Sequence, residues 1–282
     1  MKKIFLFAAL LAAMTINATD LWTGPKHVSW EDGGIELDAT LFADAQPGQK
    51  IVVSFSDASD GMEFKVMNEH WDHLAGSREA LSINGEGNVE QFLTVAAVEK
   101  LQQYGLQIIG GNFTASKIEL LDGKELKEGL TVWTGFFWAD TWNTLELYYN
   151  AYEDVDFSKV DAIRFYSEAA GSEYVLNFME GWGAGEKFAD QSEMTDGEGY
   201  KELALTDDLR TRLAAAKHWM LQFNKEALGA FNVTDIVLVL NNGGSTALDN
   251  TVQASTTIKQ IINGQVVIIR DGKMFNALGA QL

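Results

Sequence analysis

The chain has 282 residues, 46% of them hydrophobic and 11% aromatic, and no cysteine. That composition excludes disulfides, thiol catalysis and cysteine-metal sites, and leaves burial as the source of stability. Forty acidic against 21 basic residues give a net charge of −19, which repels phosphate backbones and anionic lipid, so neither nucleic acid nor a membrane surface is an expected partner, whereas a neutral glycan meets no such penalty.

Residues 1–18, MKKIFLFAALLAAMTINA, carry two lysines, an apolar run from Ile4 to Met14 and a small residue at Ala18. They read as a signal peptide, which makes the protein secreted or cell-surface. No cysteine follows to take a lipid, and no later apolar stretch reaches the roughly 20 residues needed to insert into a membrane. Loss of Lys2 and Lys3 with the signal takes the net charge from −19 to −21.

The next segment, LWTG at Leu21 to Gly24, returns as VWTG at Val132 to Gly135. At that offset of 111, Ser56 meets Ser167, Glu69 meets Glu180 and Trp71 meets Trp182. At 112, Gly85-Glu86-Gly87 meets Gly197-Glu198-Gly199 and Leu101 meets Leu213; after a six-residue insertion Phe113 meets Phe231 and Ile118 meets Ile236. Two tandem copies are therefore expected, over residues 19–123 and 128–241. Each consists of short β-prone runs bounded by Gly, Asn and Asp, such as KIVVSFS, EFKVM and ASKIELL in the first and TLELYY, AIRFYS, YVLNFM and TDIVLVL in the second. This pattern predicts an all-β fold of two tandem β-sandwich domains. Each has one short helix, VAAVEKLQQY capped by Thr94 and ended by Gly105, and DDLRTRLAAAK capped by Thr206 with acids in its first turn.

Residues 242–257 are small and polar and read as a linker. In residues 258–282, IKQII, QVVIIR and KMFNAL are separated by Asn263-Gly264 and Asp271-Gly272. These dipeptides suit tight hairpin turns and predict a small C-terminal β-meander, too small for a core of its own and so suited to sorting or docking.

The order WTG, IVVSFSDASDG, the strand leading to Trp71, the GEG turn, the capped helix and GLQIIGGNFTASKIELL resembles the jelly-roll carbohydrate-binding modules found beside glycoside hydrolases in polysaccharide-degrading bacteria. The resemblance implies jelly-roll sandwiches, no catalysis and a polysaccharide or oligosaccharide ligand. The tail NGQVVIIRDGKMFNALG resembles the C-terminal segments of secreted proteins from Gram-negative gut and oral anaerobes, some of which are read by the type IX secretion machinery. That implies secretion or surface-docking machinery as a further partner.

A flat indole covers the apolar face of a sugar ring while nearby amides, carboxylates and hydroxyls take its hydrogen bonds. Of the eight tryptophans, Trp22 and Trp133 recur in the WTG motif and read as core packing or a domain-edge plug, and Trp219 alternates with Leu221 and Phe223 as a core residue does. Trp30 in VSWEDGG, Trp71 in NEHWDHLAG, Trp138 and Trp142 in FFWADTWN, and Trp182 in MEGWGAGEK stand among acids and turn residues. These five are the candidate ligand-binding residues. His70 and His73 lie three apart, so on a strand they point to opposite faces, and Gly181 and Ala184 replace them in the second copy. A polar loop is expected there in place of a metal site. Asp57 to Gly61 reads as a turn, with structural calcium as the alternative; no cofactor is expected.

No Gly-x-Ser-x-Gly elbow and no HExxH occurs, and abundant acids alone do not define a glycosidase pair. The expected function is a secreted, non-catalytic protein whose two modules engage a polysaccharide through exposed tryptophans. The alternatives are a surface adhesin or structural protein that binds another protein, and a β-sandwich glycan hydrolase or lyase.

Overall fold

A computed structural model describes residues 18–67, 72–78, 81–140, 143–168, 174–180, 187–224 and 231–241, together with three short strands between residues 258 and 276. The signal segment, Trp71, Trp142, Trp182, His70, the linker and the two Gly-containing turns of the meander lie outside the described residues. The fold is all-β. The chain divides into two units, Met1–Asn241 and Asn242–Leu282.

The first half of the larger unit contains β1 (Thr19–Val28), β2 (Ile35–Leu37), β3 (Lys50–Ala58), β4 (Gly61–Val66), β5 (Leu81–Ser82), β6 (Gly85–Phe92), β7 (Leu106–Gly110) and β8 (Phe113–Leu121). They form two antiparallel four-stranded sheets, ordered β1-β8-β3-β6 and β2-β7-β4-β5. In β4, Met62, Phe64 and Val66 point inward and the residues between them outward; in β3, Ile51 and Val53 are fully buried. These inward rows meet Leu106 and Ile108 of β7 and Ile118 of β8 in one core. Two sheets sharing a core in this strand order make an eight-stranded jelly roll.

The second half repeats the order. Its strands are β9 (Leu130–Ala139), β10 (Thr144–Tyr148), β11 (Val160–Ser167), β12 (Val175–Met179), β13 (Lys187–Asp190), β14 (Thr195–Gly197), β15 (Tyr200–Ala204), β16 (His218–Asn224) and β17 (Phe231–Leu240). The sheets run β14-β15-β11-β17-β9 and β10-β16-β12-β13, so that β14 is the one addition. The core is aromatic: Trp219 is fully buried, stacked on Tyr152 at 4.0 Å, with Phe157 and Phe178 set edge-on to it.

One α-helix precedes the last two strands of each half. In α1 (Val95–Tyr104) the Thr94 hydroxyl accepts from Ala97 N, and Gly105 ends the helix at φ 79°. A side chain at Gly105 would also strike the Leu37 carbonyl, at 2.2 Å. In α2 (Asp207–Ala215) Thr206 accepts from Leu209 N, while Asp207 and Asp208 lie beside the positive end of the helix dipole. Leu101 and Leu213 occupy matching places, both fully buried.

Strand register corrects one alignment drawn from the sequence. Ile118 pairs with Trp22 and Val53, and Ile236 pairs with Trp133 and Phe165. Val53 therefore matches Phe165, at an offset of 112, whereas the WTG motifs lie 111 apart. At 111, Val53 would match Arg164, whose guanidinium leaves the core to pair with Glu202 at 2.6 Å. A slip of one residue exchanges the two faces of a strand, and burial of Phe165 fixes which face is inside.

The two halves meet through the segment joining β8 to β9. Gly123 crosses Gly48 so closely that a side chain on Gly123 would lie 2.1 Å from the Gly48 carbonyl. Lys124 then reaches into the second half: its ammonium donates to the Thr234 carbonyl at 2.7 Å and lies 3.1 Å from the Asp235 carboxylate. Asp235 is buried and also accepts from the Thr134 hydroxyl at 2.8 Å. Elsewhere in the junction His73 stacks on Tyr148 at 4.7 Å, and Lys100 of α1 pairs with Glu153 at 2.8 Å.

In the smaller unit β18 (Ile258–Ile262), β19 (Gln265–Arg270) and β20 (Lys273–Asn276) form a three-stranded antiparallel meander.

Two stability effects are expected. Trp219→Ala removes the centre of the second core and should cost about 3–5 kcal/mol in denaturant unfolding; a loss below about 1 kcal/mol would contradict that placement. Lys124→Ala strands the Asp235 charge and should cost about 3 kcal/mol, and an unchanged unfolding midpoint would show that water reaches the carboxylate.

Candidate ligand-binding surface

Strand β9 supplies the main candidate surface. Its alternation sends Phe137 and Ala139 into the core and turns Phe136 and Trp138 outward, 58% and 59% exposed. The two rings stand two residues apart on one face of an edge strand, forming an apolar strip. Trp138 pairs across the sheet with Asn232, whose amide donates to Glu168 at 2.8 Å. The turn after β9 is shaped by Asn143, which donates to the Trp138 carbonyl at 2.6 Å and accepts from Asp140 N at 2.8 Å. An amide and a carboxylate thus flank the indole.

The other end of the strip meets the first half. Phe92, at the end of β6, lies edge-on to Phe136 at 5.7 Å. The Lys124 ammonium sits 5.2 Å from the Phe136 ring centre and 5.7 Å from that of Phe92. Burial pushes the Lys124 pKa down, opposed by the Asp235 charge. Beside these rings opens a cleft of about 200 Å³, whose lining includes Arg78, Leu81, Glu90 and Phe92 from the first half and Trp133, Gly135 and Phe136 from the second. Gly135 keeps it open, since a side chain there would press on the Trp133 ring at 3.1 Å.

Trp30 is elsewhere. It follows β1, the edge of its sheet opposite β6, and is 58% exposed. Its turn is closed by a bridge from Ser29 to Gly33, with Gly33 at φ 81°. Asp32 accepts from the Ser29 hydroxyl at 2.9 Å and lies 2.8 Å from His27 Nδ1, while His27 Nε2 lies 2.6 Å from Asn112 Oδ1. Hydrogen bonds from Ser29 and His27 hold the Asp32 pKa below the usual carboxylate value. A ring linked at both nitrogens therefore ties the Trp30 turn to the turn between β7 and β8.

Of the five tryptophans singled out from sequence, Trp30 and Trp138 are exposed and lie at different edges; Trp71, Trp142 and Trp182 fall outside the described residues. Trp133 and Trp219 are buried and Trp22 packs against the first core. Phe136, Phe92 and Arg78 were missed. The alternation of β9 was the available signal for Phe136, but a run of Phe-Phe-Trp reads as core until the strand's inward face is known. Asp57 lies inside β3 at an irregularity of its register with β6, with φ 56°, and accepts from the Ser56 hydroxyl, so the turn expected from Asp57 to Gly61 narrows to Ser59 and Asp60, where Asp60 accepts from Gly61 N. Among the described residues no group of three or more His, Asp or Glu side chains gathers at metal-binding range. No helix among them is long and apolar enough to cross a membrane.

No protein-family model matches the sequence, and no curated protein matches it. Among solved structures the chain is similar to the Bacteroides ovatus mixed-linkage glucan utilization locus protein SGBP-B in complex with a mixed-linkage heptasaccharide, at 19% identity and a TM-score of 0.32, over 36% of this chain and 28% of that one. It is also similar to the N-terminal CBM22-1-CBM22-2 tandem domain of Paenibacillus barcinonensis Xyn10C, at 8% identity and a TM-score of 0.21, over 80% of this chain and 90% of that one.

Proposed function

We propose that the chain is a secreted, non-catalytic carbohydrate-binding protein that engages a polysaccharide through exposed aromatic side chains. The observation that carries this reading is the pair of outward rings, Phe136 and Trp138, on one face of β9. A saccharide laid along the strip places its CH faces on the rings and its hydroxyls near Asn232 and Glu168. Trp30 is a second, separate contact. Trp71, Trp142 and Trp182 belong to the same reading as further contacts. In it the two jelly rolls are tandem copies, and the meander is a sorting or docking tail.

A second contact on the same compact unit binds at high effective concentration once the first is made, which favours long polymers over short oligosaccharides. No reacting group is needed, because stacking and hydrogen bonding do all that binding requires.

Native affinity electrophoresis of the protein through gels containing separate plant and host polysaccharides tests the reading. Retardation by at least one polymer is expected, with Trp138→Ala weakening it by about tenfold or more and Phe136→Ala by somewhat less. Absence of retardation across a broad panel would favour the adhesin or protein-docking alternative.

The Trp30 contact should also depend on pH. Hydrogen bonds to Asn112 and then to Asp32 raise the His27 pKa above its ordinary 6.5. A raised folded value means that the clasp is complete below about pH 6.5 and is lost as pH rises through the folded pKa. An NMR titration should place the His27 midpoint above 6.5 and Asn112→Ala should lower it. A midpoint at or below the ordinary value would mean that the clasp is not held in solution.

A further inference from the structure

Among the described residues the cleft beside the strip holds one cation, Arg78, that makes no ion pair, and one carboxylate, Glu90, that is paired with Lys50. Arg78 sets its guanidinium 5.3 Å from the centre of the Phe137 ring, and no ion pair to it forms among the described residues. The other cations bordering the strip are neutralised, Lys50 by Glu90 at 2.6 Å and Lys124 by Asp235 at 3.1 Å. In a chain with 40 acids and 21 bases, a guanidinium left over at a cleft is a vacant place for an anion. Its side chain keeps contact with solvent, yet crowding by neighbouring atoms lowers its pKa, with Glu146 acting in the opposite sense.

A guanidinium fits two coplanar oxygens, as a carboxylate presents them. The cleft, at about 200 Å³, is smaller than the roughly 300–1,000 Å³ of sites that enclose a drug-sized ligand, so it suits one sugar residue or substituent. A dense polyanion would be repelled by the net charge of −19, whereas one carboxylate feels mainly the cation beside it, because charges beyond about 8 Å are screened. We propose that the cleft takes the carboxylate of a single uronic acid residue on an otherwise neutral saccharide, with Arg78 as its partner and the Phe136–Trp138 strip holding the adjoining neutral sugars. This rests on the carbohydrate-binding reading above and specifies its ligand.

The test compares retardation by sparsely uronate-substituted polysaccharides, namely glucuronoxylan, arabinogalactan and xanthan, with retardation by their carboxyl-reduced forms. Polygalacturonate and a sulfated galactan complete the panel. At least one acidic form should bind about tenfold or more tightly than its reduced form. Arg78→Gln should abolish that difference, Arg78→Lys should keep part of it, and Trp138→Ala should weaken both forms alike. Equal binding of acidic and reduced polymers, or an unchanged preference in Arg78→Gln, overturns the carboxylate assignment while the carbohydrate reading stands. Preference for polygalacturonate or the sulfated galactan overturns the lone-carboxylate assignment in the same way. Retardation by no polymer overturns both.

Discussion

The candidate surface depends on the ion pair between Lys124 and Asp235. Lys124 belongs to the segment leaving the first jelly roll, and Asp235 sits buried on the outward face of a strand in the second. Their contact draws the end of β6 toward β9, so that Phe92 meets Phe136. The His73–Tyr148 stack and the Lys100–Glu153 pair hold the halves together elsewhere in the junction, but this pair is the one beside the strip. Buried pairs contribute little net stability compared with apolar substitutes, but losing one partner is costly. Such a pair is better at fixing an arrangement than at stabilising it. The crossing of Gly123 over Gly48 does the same through the backbone, because any side chain on Gly123 would push the connecting segment off the first half.

This junction bears on what two jelly rolls in one chain can do. Two copies on a loose tether would act as independent binders that share only a chain. Here the cleft takes Arg78, Leu81 and Phe92 from one half and Trp133 and Phe136 from the other. Neither half could form it alone. The Trp30 turn, by contrast, is built wholly from the first half, by His27, Asp32 and Asn112. One chain thus presents two kinds of aromatic surface, one local to a jelly roll and one made by pairing two.

The local elements were largely legible in the sequence. Thr94 with Gly105, and Thr206 with its following acids, marked both helices, because caps are chemical signals confined to a few residues. EFKVM read as a strand, and alternation set Trp219 with Leu221 and Phe223 in the core, where they are buried. What alternation does not fix is the count of residues in turns, which is why an alignment anchored on WTG slipped by one at β11. The junction was not legible at all. Lys124 stands in DGKELKEG, which looks like an ordinary charged connector, and its buried partner lies 111 residues away. Arg78 lies in a segment without periodicity, so its lack of an ion pair among the described residues is visible only in three dimensions.

The distribution of cations bears on why the two exposed indoles matter. The chain is strongly acidic, yet many of its bases lie over aromatic faces: Lys50 over Phe92, Arg164 over Tyr200, Lys201 over Tyr174 and Arg212 over Phe188. The negative face of a ring attracts any positive edge, whether an ammonium or the polarised CH groups of a sugar. Phe92, Tyr174 and Phe188 are buried rings, and exposed Phe136 has the Lys124 ammonium 5.2 Å from its centre. Among the described residues Trp30 and Trp138 make neither a cation contact nor a ring stack, although both are more than half exposed. Their hydrophobic area is left in water in a protein that buries comparable rings elsewhere, at an expense of about 25 cal/mol per Å² of apolar surface. A neutral ligand with CH-rich faces recovers that area without adding charge to a chain already carrying a large excess of acid, and that is the chemistry of a saccharide.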